Sequence, residues 1–118
     1  MNYLIKGRVI KGDGYGKKIG YPTINLDRKY FLRMKEKPMF GVYSGQAFLK
    51  NEIYKAGIVF GPLDKRNLPK IEAHLIGLKK DIYGEKVILE INKFLRKFKK
   101  FKREVDLIAQ IKKDLKKC

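Results

Sequence analysis

Pro69-Lys70-Ile71-Glu72-Ala73-His74-Leu75 decides the fold. Ile71, Ala73 and Leu75 fall on one side of an extended chain, Glu72 and His74 on the other. A period of two is what a strand shows when one face packs on a core and the other meets water. Lys86–Phe94 repeats the pattern, with Val87, Leu89 and Ile91 against Glu90 and Asn92. Working outward, runs rich in β-branched and aromatic residues recur between turn signals, giving strands over Leu4–Lys11, Gly41–Leu49, Ile53–Phe60, Pro69–Leu78 and Lys86–Phe94. Asn51-Glu52 and Tyr83-Gly84 are expected at hairpin turns. Several short antiparallel strands in a small chain must hide their edges, and closing on themselves does so. The expectation is a mainly β, closed antiparallel barrel.

The C-terminus breaks the pattern. From Glu104, the residues Val105, Ile108, Ile111 and Leu115 share one helical face. Glu104 and Asp106 fill the first turn, and Lys112, Lys113, Lys116 and Lys117 the last, which complements the helix dipole at both ends. An α-helix laying this apolar stripe on the barrel follows, and its basic last turn needs no ligand to explain it.

At 118 residues the chain (1–118) is expected to form a single domain. Its one cysteine, Cys118, is the last residue and is expected to be an exposed, incidental thiol. No apolar run reaches the ~20 residues of a membrane span, and Met1–Lys6 lacks the pattern of a signal peptide, so a cytoplasmic setting is expected. Lys and Arg total 29 against 12 acids, a net charge of +17, which attracts polyanions. Lysine supplies most of that charge and is dispersed, with its densest cluster at Lys97, Lys99, Lys100, Lys102 and Arg103. A solvated lysine-rich surface accounts for this better than a dedicated nucleic-acid face.

Between the first two expected strands lies a long irregular stretch, Gly12 to Phe40, and stretches of that length in small domains are usually functional or disordered. Glycines at 12, 14, 16 and 20 allow backbone N–H groups to approach an anion, and Lys17 and Lys18 can neutralise phosphate. Thr23 and Asn25, two apart after Pro22, present a hydroxyl and an amide oxygen on one side of an extended segment, suited to a hard cation such as Mg²⁺. Neither the Gly-x-x-x-x-Gly-Lys-[Ser/Thr] order nor Gly-x-Gly-x-x-Gly is present.

Lys11-Gly12-x-Gly14-x-Gly16-Lys17-Lys18-x-Gly20-Tyr21-Pro22-Thr23-x-Asn25 resembles the signature of the riboflavin kinase family. Pro38-x-Phe40-Gly41-Val42-Tyr43, Ile71-Glu72-Ala73-His74-Leu75, Asp81-Ile82-Tyr83-Gly84, Phe94-Leu95-Arg96, Lys100-Phe101 and Gln110–Asp114 continue the likeness in order along the chain. The resemblance implies a Greek-key barrel with a C-terminal helix, and an enzyme that makes FMN from riboflavin and ATP. It implies that Gly12 and one of Lys17 and Lys18 meet the nucleotide phosphates, and that Thr23 and Asn25 hold Mg²⁺. It further implies that Leu75 and Tyr83 line the nucleotide pocket, that Glu72 accepts the proton of the riboflavin 5′-hydroxyl, and that Arg96, Lys99 and Phe101 border the flavin. His74, the one histidine, is expected to be structural or pocket-lining.

Three positions depart from the family pattern: Ile24 where Ala is usual, a Gly61-Pro62 loop that keeps only part of its motif, and Lys97 where Pro is common. Ile24 is harmless if it points into the core and crowding if it faces the nucleotide. The competing expectation, from another class, is a non-catalytic flavin- or nucleic-acid-binding barrel, but such a module has no need of Thr23, Asn25 and Glu72 together. The partners expected are small-molecule substrates, with no membrane and with a monomer as the working unit.

Overall fold

The computed structural model describes residues 2–118. Six strands, β1 (Tyr3–Ile10), β2 (Ile24–Leu26), β3 (Gly41–Leu49), β4 (Glu52–Leu63), β5 (Pro69–Leu75) and β6 (Lys86–Arg96), close in the order β1-β2-β5-β4-β3-β6. Every pairing is antiparallel. β3, β4 and β5 follow one another as neighbours, and β6 returns to lie beside β3, which is the Greek-key arrangement. Closure gives every strand a neighbour on both sides, although three-residue β2 makes only two residue pairs with each of its neighbours.

Alternation becomes burial. Ile71, Ala73 and Leu75 are buried while Glu72 and His74 are only partly so, and Val87, Leu89 and Ile91 of β6 are buried in the same way. They meet Ile5, Leu26, Ile58 and Phe60 in one core inside the barrel. Ile24 packs in this core and also lines the cleft beside β2 that holds Lys17, Thr23 and Tyr83, so its bulk serves the core and borders the cleft at once.

The irregular stretch is more ordered than its composition suggested. It contains β2 and two short helices, α1 (Tyr15–Lys18) and α2 (Lys29–Arg33). A three-residue strand is too short for a period to show. The β3–β4 turn falls at Lys50-Asn51, one residue earlier than expected, because Leu49 pairs with Glu52 and Lys50 takes the left-handed conformation (φ 54°). Tyr83-Gly84 is a turn, but β5 and β6 are not neighbours, so it belongs to a crossover and not to a hairpin.

α3 (Glu104–Lys116) begins at the expected residue, but its packing differs. Val105 is 62% exposed, while Asp114 is buried at 5%. The last turns make the contact: the Leu115 side chain lies over Gly57 of β4, where a Cβ would come within 3.0 Å of it. The first turn projects away. Asp114 reaches Arg96 at the end of β6, whose Nε donates to both carboxylate oxygens at 3.1 Å and whose Nη2 donates at 2.9 Å. Gln110 Nε2 adds a third donor group at 2.9 Å. Cys118 is half-buried, not exposed: its thiol donates to the Asp114 carbonyl at 3.3 Å, and burial, then the Asp114 charge, raise its pKa. Among the described residues no helix is long and apolar enough to cross a membrane.

Removing the Asp114 carboxylate strands a mostly buried guanidinium. Asp114→Ala is expected to destabilise the fold by about 2–3 kcal/mol, the scale of hydrogen bonds to a charged group. Urea unfolding checks this, and a loss below ~0.5 kcal/mol would remove the pair as the tie between α3 and the barrel.

Candidate active site

The site is assembled by the register of β2 on β5. Ile24 pairs with Ala73 and Asn25 with Glu72. Residues directly opposite in an antiparallel pair have Cβ atoms about 4.5–5.5 Å apart and share a face. Ile24 and Ala73 therefore point into the core together, and Asn25 and Glu72 point outward together. Continuing the register by one residue sets Thr23 across from His74. Four chemically capable residues thus form a two-by-two block on the outer surface of the barrel.

The glycine-rich segment supports this block. The Asp13 carboxylate accepts from the Tyr15 N–H at 2.9 Å, Gly14 takes φ +75°, and the chain enters α1. Gly12 has a packing reason to be glycine. A Cβ there would lie 2.7 Å from Asn25 Cγ, so the Asn25 amide rests on the bare backbone of residue 12. His74 Nδ1 lies 2.7 Å from the Pro22 carbonyl, and its ring meets Tyr21 edge-on with centroids 5.8 Å apart.

Two clefts flank β2. The first, about 270 Å³, brings together Lys17, Thr23, Leu75 and Tyr83, all expected on the nucleotide side, with Lys80 and Asp81 besides. The second, about 210 Å³, gathers Gly12, Asn25 and Glu72 with Asp13, Arg28 and Lys70. Lys18 lines neither cleft, which separates the lysine pair that sequence left unresolved. Thr23 and Asn25, though two residues apart, line different clefts.

Burial raises the pKa of Glu72, Lys70 opposes the rise, and Asp13 adds to it. Sequence reasoning missed both neighbours, though Asp13 lies inside the quoted glycine segment and Lys70 two residues before Glu72. It also missed an ion pair at the rim of the second cleft, where Arg28 Nη1 is 2.7 Å from Asp64 Oδ2. Desolvation would raise the Asp64 pKa, but hydrogen bonds from Arg28, Leu68 and Arg66 outweigh it and the net shift is downward. No local signal joins residues 28 and 64.

Arg96, Lys99 and Phe101 come together, but in neither cleft. The Arg96 guanidinium and Lys99 Nζ lie 5.9 and 5.5 Å from the Phe101 ring centre. Arg96 is also committed to Asp114. Strand register connects this cluster to the block: Arg96 pairs with Val42, Val42 with Val59, and Val59 with Glu72. Three strand steps of about 4.8 Å put Glu72 and Arg96 roughly 14 Å apart on one lateral row.

The family model for riboflavin kinase (Flavokinase) matches residues 1–118. The chain belongs to the riboflavin kinase family. It is 36% identical over 119 residues to a bifunctional riboflavin kinase/FMN adenylyltransferase of Bacillus subtilis, covering 95% of this chain and 36% of that protein. It is 35% identical over 116 residues to the RNA-binding riboflavin kinase RibR of the same organism, covering 95% of this chain and 48% of the relative. The chain thus spans between about a third and a half of these relatives. The solved riboflavin kinase of Trypanosoma brucei superposes with a TM-score of 0.68 over 98% of this chain and 76% of that one; at 19% identity it shares the fold.

Two outcomes follow from the geometry. Gly12→Ala is expected to push Asn25 out of line with Glu72, seen as displaced Asn25 side-chain amide resonances; unchanged resonances would dissociate the two residues. For Glu72 the folded pKa is raised, so the folded state holds the proton more tightly than the unfolded one. Stability is then lost as pH rises from the unfolded value through the folded one. Glu72→Gln removes that loss, so thermal melts at pH 7.5 are expected to show a variant at least as stable as the parent. A variant less stable at pH 7.5 than the parent would contradict the burial of an ionisable Glu72.

Proposed function

We propose that this chain transfers the γ-phosphate of ATP to the 5′-hydroxyl of riboflavin, giving FMN and ADP. The observation that carries the reading is the pairing of Asn25 with Glu72, a cation-suited amide opposite a half-buried carboxylate. Phosphoryl transfer asks a protein mainly for positioning, charge neutralisation and a group that orients the attacking hydroxyl. Lys17, in the first cleft with Thr23, supplies charge to the triphosphate, and Leu75 and Tyr83 give the base an apolar wall and a ring. Glu72 accepts the hydroxyl proton as the riboflavin oxygen bonds to phosphorus and ADP leaves. Burial moves its pKa toward the pH at which it works, the condition for an efficient general base.

Thr23 and Asn25 fit Mg²⁺. They offer two neutral oxygens, as an ion that takes most of its ligands from phosphates and water requires. Bound there, the ion would neutralise charge on the transferring phosphoryl oxygens. Gly12 serves the phosphates indirectly, by leaving room for Asn25.

The flavin reading follows the lateral row. From Glu72 the lateral row of paired residues passes Val59 and the buried Val42 toward Arg96 and the Phe101 ring, with Lys99 beside it. A ribityl chain with its 5′-hydroxyl at Glu72 would carry the ring system along this row. Both substrates are metabolites of the cytoplasm, and the reading needs no second subunit and no membrane.

RNA binding is the second reading, and one observation favours it: the relative named for that property. This chain corresponds to less than half of that relative, which leaves the property unassigned to the shared part.

The purified chain, incubated with riboflavin, ATP and Mg²⁺, is expected to give FMN on chromatography. Glu72→Gln is expected to lower turnover by about 10²-fold or more, the usual scale of a lost general base. Near-parental turnover would take Glu72 out of that role. Absence of FMN with any nucleoside triphosphate would overturn the kinase reading.

A further inference from the structure

His74 is the one member of the two-by-two block that the proposed reaction leaves without a task. Its position explains why it is there. β2 pairs with β5 through Ile24 and Asn25 alone, and the next residues back along the chain are Thr23 and Pro22. Proline has no N–H, so the ladder cannot be carried past it by a backbone donor from that residue. The Pro22 carbonyl faces His74 instead and lies 2.7 Å from Nδ1. A carbonyl can only accept, so Nδ1 carries the proton and donates. The same imidazole meets the Tyr21 ring edge-on, so one side chain engages both residues that precede Thr23.

We propose that His74 is a positioning residue for the metal–nucleotide side of the site: its Nδ1–H holds the Pro22 carbonyl and thereby fixes the backbone that presents Thr23. This rests on the reading of Thr23 as a Mg²⁺ ligand. Thr23 is exposed, and α1 and the Gly20 turn just before it make no ladder with β5. Without the imidazole, the segment Gly20–Thr23 would be joined to β5 only from Ile24 onward. The effect is directional. Riboflavin, on the Val59–Arg96 side of Glu72, does not depend on Pro22, whereas Mg²⁺ and the triphosphate do.

The substitutions that test this are His74→Asn, whose side-chain N–H₂ stands where Nδ1–H stood, and His74→Leu, which keeps bulk and removes the donor. Binding of ADP with and without Mg²⁺ is measured by calorimetry, and riboflavin binding by its own fluorescence. For His74→Leu, Mg²⁺-dependent ADP affinity is expected to fall by about threefold to tenfold, the range of one net hydrogen bond. Riboflavin affinity is expected to hold, and His74→Asn to restore most of the loss. Equal weakening of both ligands, or no rescue by Asn, would reduce His74 to a general structural residue and overturn the proposal. Thr23→Ala separates the two layers. If it abolishes the Mg²⁺ dependence of ADP binding while His74→Leu leaves that dependence intact, the positioning role alone fails. If Thr23→Ala leaves it intact, the metal reading fails and the proposal with it.

Discussion

Two residue pairs, Ile24 with Ala73 and Asn25 with Glu72, make the whole junction between β2 and β5. Because side chains alternate at every residue, a slip of one position would bury Asn25 and expose Ile24. The core prevents that slip: Ile24 and Leu26 are both buried with Ala73 and Ile71 beneath them. The same packing that closes the barrel therefore fixes which amide faces which carboxylate. Fold and site share one constraint, and the glycine at position 12 completes it by giving the Asn25 side chain a place to rest.

Around that junction the two sides of the molecule differ in how they are held. The side proposed for the nucleotide is a loop folded on itself by backbone hydrogen bonds such as Tyr21 N–H to the Gly16 carbonyl, with His74 on Pro22 and Asp13 on the Tyr15 N–H. The side proposed for the flavin is held by a buried carboxylate, Asp114, that draws α3 onto β6 through three hydrogen bonds from Arg96. Much of the apolar surface of α3 stays half-exposed, since only its last turns reach the barrel.

The strands were legible in the sequence because their period of two is set by burial on one face, and Pro69–Leu75 shows it without interruption. The block of chemical residues was legible in part. Thr23 and Asn25 were read from their spacing and donor chemistry and Glu72 from the family resemblance, and register then set Asn25 and Glu72 opposite each other. β2 escaped notice, since three residues carry no period. Val105 was misplaced because helical spacing says which residues share a face and not how far along the helix the barrel reaches. Asp114 lies outside the apolar stripe, and its burial comes from a partner, Arg96, that helical spacing does not reveal. The Arg28–Asp64 pair joins loops 36 positions apart, and only the closed topology brings them together.

In the proposed reaction two substrates reach the Asn25–Glu72 pair from opposite sides, and ligand-specific NMR shift mapping tests that most directly. Mg²⁺-ADP is expected to move resonances of Lys17, Thr23 and Tyr83. Riboflavin is expected to move those of Val59, Val42 and Phe101, with Asn25 and Glu72 common to both sets. Two ligands perturbing one and the same set, or neither reaching Asn25 and Glu72, would contradict it.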